Sequence, residues 1–176
     1  MRGGSMGFFR ERGGWWNGSC QGRTGGGWVV DMDMELSRAL EALPHGAAFR
    51  FIDELTELER GKRAVGIYQV RGDEAFLEGH FPGRPMMPGV ILIEAIAQLG
   101  GVVCQTDPEH GVLEDLRLTA VRAAKILGAA VPGEVLEISA LVEGRMGGLV
   151  QVSGEVSGRD GLLATAKVVL SGQVVG

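Results

Sequence analysis

Apolar residues in this chain form one long helical run set between alternating stretches. Over residues 34–43, Leu36, Leu40 and Leu43 recur at helical spacing and Pro44 follows, which predicts a short helix. Residues 49–58 and 63–70 alternate apolar and polar positions, the period of a strand with one buried face. Over residues 88–106 the period changes. Pro88 and Gly89 stand at the entry of an apolar run and Pro108 beyond its end, which predicts a long helix. Four further stretches, 113–122, 135–142, 149–156 and 162–170, carry β-branched or alternating apolar residues. Gly133-Glu134, Gly147-Gly148 and Asp160-Gly161 supply turns between them, the last a good hairpin signal. The pattern is α+β: strands, one central helix, then strands whose antiparallel sheet closes around it. That helix is apolar nearly all round, at Val90, Ile91, Leu92, Ile93, Ala95, Ile96, Ala97 and Leu99. It needs more cover than one such sheet supplies, and so implies a partner.

At 176 residues the chain is one domain's worth. Residues 1–33 stand apart as a Gly-rich, low-complexity leader whose large apolar residues are Phe8, Phe9, Trp15, Trp16 and Trp28. We read it as a flexible extension before a domain spanning residues 34–176, the alternative being an aromatic partner-binding arm. A formal net charge of −5 argues against general nucleic-acid binding, which needs a basic face. Cys20 and Cys104 lie far apart with no metal-ligand spacing. Neither a disulfide nor a zinc site is expected, and Cys104 reads as a small buried hydrophobe. No apolar run reaches the roughly 18 residues of a membrane span, and the leader has no continuous apolar stretch of the secretory kind. A cytoplasmic protein is the expectation.

Two side chains break the pattern in a way that suggests chemistry. His80 sits in the Gly/Pro-rich turn Gly79-His80-Phe81-Pro82-Gly83-Arg84-Pro85, and Glu94 interrupts the apolar helix where packing alone would place Leu. A turn imidazole and a carboxyl whose apolar flanks favour its protonated form suit a base and an acid moving protons on a carbon skeleton. Structural alternatives are a hydrogen-bonded turn histidine and a buried glutamate paired with a distant cation. Gln98, at i+4 from Glu94, holds the carboxyl, holds an active-site water, or packs the helix. Phe81, Met86, Met87 and Ile91 are candidate walls of a tunnel for an apolar substrate chain or simply core. His45 reads as a structural turn residue and His110 as a solvated loop residue.

The run Leu43-Pro44-His45, Asp53, Gly79-His80-Phe81-Pro82-Gly83, Met87-Pro88-Gly89, Glu94-Ala95-Ile96-Ala97-Gln98 and Val131-Pro132-Gly133-Glu134 resembles the hot-dog-fold 3-hydroxyacyl-acyl-carrier-protein dehydratases, the FabZ type, over roughly residues 40–172. The resemblance implies a curved antiparallel sheet wrapped around one long helix. It further implies dehydration of (3R)-hydroxyacyl thioesters to trans-2-enoyl thioesters in fatty acid or related acyl-chain synthesis. No metal or redox cofactor is implied. His80 is then the base, Glu94 the acid, and the Gly89 N–H the contact for the thioester oxygen, as a helix N-terminus allows. A homodimer, alone or as a trimer of dimers, would pair its sheets edge to edge and build each site from both chains. Acyl carrier protein is the expected partner, a coenzyme A thioester the other possible substrate. The segment Lys125-Ile126-Leu127-Gly128-Ala129-Ala130 lacks the second basic residue and the proline usual in the family, Ala48 replaces a proline, and Gly46 stands where an Arg often follows the early histidine. Arg84, Arg122 and Lys125 are left as candidates for carrier docking. The rival readings are a hot-dog acyl thioesterase, which would use Glu94 but not His80, and a non-catalytic acyl-binding subunit.

Overall fold

The computed structural model of the chain describes residues 28–41 and 43–174. Residues 1–27 of the expected leader, with Cys20, lie outside the described residues. Helix α1 (Trp28–Glu41) opens ahead of the boundary read at Met34, so the helix expected over residues 34–43 has its first turns in what was taken as leader. Ala39, Leu40 and Leu43 are buried. The chain continues through β1 (Glu54–Glu59), β2 (Arg63–Gln69), a short α2 (Ala75–Gly79) and the long α3 (Gly89–Gln105). It finishes with β3 (Leu113–Ile126), β4 (Val135–Met146), β5 (Leu149–Gly158) and β6 (Gly161–Val174). The strands make one sheet of order β1-β2-β4-β5-β6-β3, with every neighbouring pair antiparallel. It wraps α3, and this is the α+β hot-dog arrangement.

Period-two patterning explains which faces turn inward. Leu136, Ile138 and Ala140 of β4, Val150, Val152 and Val156 of β5, and Ala164, Ala166, Val168 and Leu170 of β6 are all buried against α3. Close seating of the helix depends on missing side chains. A Cβ on Gly100 would lie 2.9 Å from Val152 Cγ1, and one on Gly154 would lie 2.5 Å from Ile96 Cγ2. The sheet covers α3 more fully than the sequence pattern suggested. Leu92 and every residue from Ala95 to Cys104 is buried by this one chain, because four of the strands run to between 10 and 14 residues and curl around the helix. Only Val90, 68% exposed, stands clear of the core at the helix entry. The edge strand β3 also carries exposed apolar side chains, at Leu118, Val121 and Ile126.

Two segments depart from the expected pattern. Residues 49–53 are not strand: a single 3-10 turn, Ala47–Phe49, leads into an extended stretch with Phe51 and Ile52 in the core. The Phe51 N–H donates to Gln98 Oε1 at 3.0 Å, so a helix side chain takes the place of a neighbouring strand. The second is α2, whose entry is organised by Glu74. Its Oε1 accepts the Arg71 N–H at 2.8 Å and the Tyr68 hydroxyl at 2.9 Å, and its Oε2 accepts the Gly72 N–H at 2.7 Å. Burial pushes this carboxyl up, but the donors outweigh burial and hold it below the ordinary value.

Candidate active site

His80 directly follows α2, where its N–H donates to the Leu77 carbonyl at 3.3 Å. The turn it opens is closed on itself. Phe81 and Arg84 exchange backbone hydrogen bonds of 3.2 and 2.9 Å, and Met86 N–H donates to the His80 carbonyl at 2.8 Å. Nδ1 of His80 lies 3.0 Å from the Met86 carbonyl. A carbonyl only accepts, so Nδ1 carries a proton, and in the neutral ring the lone pair is then on Nε2. The exposed Phe81 ring stacks on the imidazole at 4.2 Å.

Glu94 lies one turn into α3. Its side chain is 22% exposed and opens on a cavity of about 520 Å³ whose wall includes His45, Gln98, Gln105, Asp115 and Arg117 beside Leu43 and Val102. Its surroundings are thus mixed, not the purely apolar ones its sequence neighbours suggested, because the helix turns Leu92, Ala95 and Ile96 to the core and Glu94 to the cavity. Gln98 is buried and fully committed. It accepts from Phe51 N–H through Oε1, and its Nε2 donates to the Phe49 carbonyl at 2.9 Å and to Glu94 Oε1 at 3.1 Å. One amide therefore fixes both the entering chain and the carboxyl. His45 was read only as a turn residue, yet its Nε2 lies 3.6 Å from Glu94 Oε1. Nothing in its local spacing pointed to that contact, which exists only once the segment after α1 folds over α3.

The other candidates fall elsewhere. His80, Phe81, Met86, Met87 and Ile91 are absent from the wall of the Glu94 cavity. Met87 is core, Met86 and Ile91 are half-buried, and Phe81 is exposed. Gly89 is the first residue of α3, so its N–H has no intrahelical acceptor. A Cβ there would lie 2.5 Å from Ile126 Cδ1 and 2.9 Å from its Cγ2, so Ile126 would have to move to admit one. Arg84, Arg122 and Lys125 are exposed and make no ion pair among the described residues. His110, in its exposed loop, is paired: Nδ1 lies 2.7 Å from Asp107 Oδ2. The described residues hold no group of three or more side chains arranged to bind a metal ion, and no helix among them is long and apolar enough to cross a membrane.

Comparison with known proteins places this arrangement. The family model for the FabA-like domain matches residues 43–167, and the chain belongs to that family. It is 38% identical over 130 residues to the 3-hydroxyacyl-acyl-carrier-protein dehydratase FabZ of Clostridium acetobutylicum, an alignment covering 70% of this chain and 92% of the relative. The FabZ of Syntrophotalea carbinolica is 36% identical over 137 residues, covering 78% and 93%. Among solved structures, the dehydratase heterocomplex ApeI:P from Xenorhabdus doucetiae shares the fold with a TM-score of 0.63 at 20% identity, covering 78% of this chain and 90% of that one. The smu.793 protein of Streptococcus mutans, solved with acetyl CoA, shares it with a TM-score of 0.57 at 16% identity, covering 76% and 97%.

Proposed function

We propose that this chain is a hydro-lyase that converts (3R)-hydroxyacyl thioesters on acyl carrier protein to trans-2-enoyl thioesters, in fatty acid or related acyl-chain synthesis. The observation that carries the reading is the preset tautomer of His80: with Nδ1–H given to the Met86 carbonyl, Nε2 is a ready base for the C2 proton. As the C2–H electrons form the C2–C3 double bond, the C3–O bond breaks and Glu94 protonates the departing hydroxyl, which leaves as water. His80 ends protonated and Glu94 ionised, and proton exchange with solvent restores both. The Gly89 N–H at the start of α3 is the donor for the thioester oxygen, whose charge grows in the transition state. Two curated relatives above 35% identity named as dehydratases of this class support the same reading.

The active unit in this reading is a homodimer. His80 is absent from the wall of the Glu94 cavity, and β3 is an edge strand with exposed Leu118 and Val121. Pairing two copies along β3 extends the sheet and lets His80 of one chain meet Glu94 of the other. Arg84, Arg122 and Lys125 supply cationic contacts for an acidic carrier protein. The test is to incubate purified protein with 3-hydroxyacyl thioesters on carrier protein and on coenzyme A, following enoyl formation and free thiol release. Enoyl product without thiol is expected. Thiol release would make the protein a thioesterase, and neither product would leave an acyl-binding subunit.

A further inference from the structure

His45 is a polar side chain on the Glu94 cavity that the proposed chemistry leaves unused, and it faces the carboxyl itself. Its ring is 31% exposed, its Nε2 faces Glu94 Oε1 at 3.6 Å, and its Nδ1 is buried with no hydrogen-bond partner. Those two environments decide the tautomer. A proton on Nδ1 would bury an unpaired N–H donor, whereas an unpaired lone pair there costs less. The proton therefore sits on Nε2, pointing at the carboxyl. Gln98 Nε2 donates to the same oxygen at 3.1 Å. Its own orientation is fixed by the Phe51 N–H and the Phe49 carbonyl.

We propose that His45 is a positioning residue which, with Gln98, favours Oε1 of Glu94 as the acceptor and so reserves Oε2 for the proton delivered to substrate. A carboxylic acid carries its proton on one oxygen. Two donors converging on Oε1 repel a proton there and leave Oε2–H as the productive form. Without His45, one donor in place of two biases the proton away from the oxygen that faces Gln98. The 3.6 Å separation is longer than a formed hydrogen bond, and sites of this kind tighten when substrate closes them. Phe49 helps hold the ring, its centroid 6.1 Å from that of His45.

This inference rests on the dehydratase reading, and its test separates the two. Glutamine can place an amide N–H where Nε2 lies, asparagine reaches only as far as Nδ1, and phenylalanine keeps the ring without a donor. His45→Gln should keep kcat within about threefold of wild type, while His45→Asn and His45→Phe should lose roughly 10- to 100-fold in kcat with KM changed less than about twofold. A turn residue with a purely structural role would not produce that ordering. Equal turnover by all three variants and wild type, an equal loss in all three, or a loss confined to KM would overturn the role of His45 and leave the dehydratase assignment standing. Wild-type protein that forms no enoyl product would overturn both.

Discussion

A lone carboxyl in an apolar helix and a histidine in a Gly/Pro turn were legible in the sequence because each violates its local pattern. His45 violates none, and its contact with Glu94 depends on a fold-over that periodicity cannot show. His80→Ala and Glu94→Gln should each lower kcat by roughly 10² to 10⁴, the usual cost of losing a positioned base or acid, and the double variant should be little worse than the worse single. Steady-state kinetics checks this, with circular dichroism to confirm the fold; a single variant keeping more than about a third of the wild-type rate would remove that residue from the mechanism. Cys104 presents the opposite case, a potentially reactive group made inert by place. It is buried on α3, and burial pushes its thiol up to about 12 despite the opposing pull of Arg145. In a Cys20→Ser background the native protein should leave Ellman's reagent unreacted at pH 8 and titrate one thiol after denaturation. Rapid native reaction would mean that α3 opens on that timescale.

Among the elements, α3, β2 and the strands β4 to β6 followed from periodicity and turn residues. The segment before β1 did not, since its backbone is satisfied by Gln98 instead of by a strand. Nor did α2, whose turn is built from Glu74 accepting neighbouring backbone donors. Gly89 illustrates a residue whose need for glycine comes from another element. Gly89→Ala should cost about 1–3 kcal/mol by urea unfolding, because its Cβ collides with Ile126. Most of that cost should vanish in an Ile126→Ala background, and an equal cost in both backgrounds would place the obstruction elsewhere. The exit of α3 is tied down by Asp107, which accepts the Glu109 N–H at 2.9 Å and faces His110 at 2.7 Å and the buried Arg145 at 3.5 Å. Burial raises this carboxyl, but the Glu109 N–H and His110 together lower it below the ordinary 3.8. A depressed native value means the stabilisation is complete above the unfolded value and is lost as pH falls through the native one. Asp107→Asn should therefore cost about 1–3 kcal/mol at pH 7, with the difference from wild type shrinking below the ordinary 3.8. A constant difference down to pH 2 would show that the charge is not what matters.

For the whole molecule, the surface that calls for a partner lies on the sheet and not on the helix. The sequence suggested that an all-round apolar α3 needs a second chain for cover, yet this chain buries it from Ala95 to Cys104 alone. A single chain leaves open two sheet edges, β1 and β3, the second with apolar Leu118 and Val121 exposed, and a Glu94 cavity whose wall lacks His80. In the homodimer we propose, pairing along β3 covers that edge and would make each site a joint product of two chains. Complementation reads this directly. A His80→Ala chain lacks the base and a Glu94→Gln chain lacks the acid, so each homodimer alone should be nearly inactive. In a heterodimer, one site combines both lesions and the other combines the intact His80 of one chain with the intact Glu94 of the other. Random pairing makes about half of all dimers mixed, each with one working site of two, so equal mixing under subunit exchange should restore up to about a quarter of wild-type activity. Native mass spectrometry establishes whether mixed dimers have formed. Mixed dimers without recovered activity would mean that His80 and Glu94 act within one chain, and that β3 pairing, if present, serves stability alone.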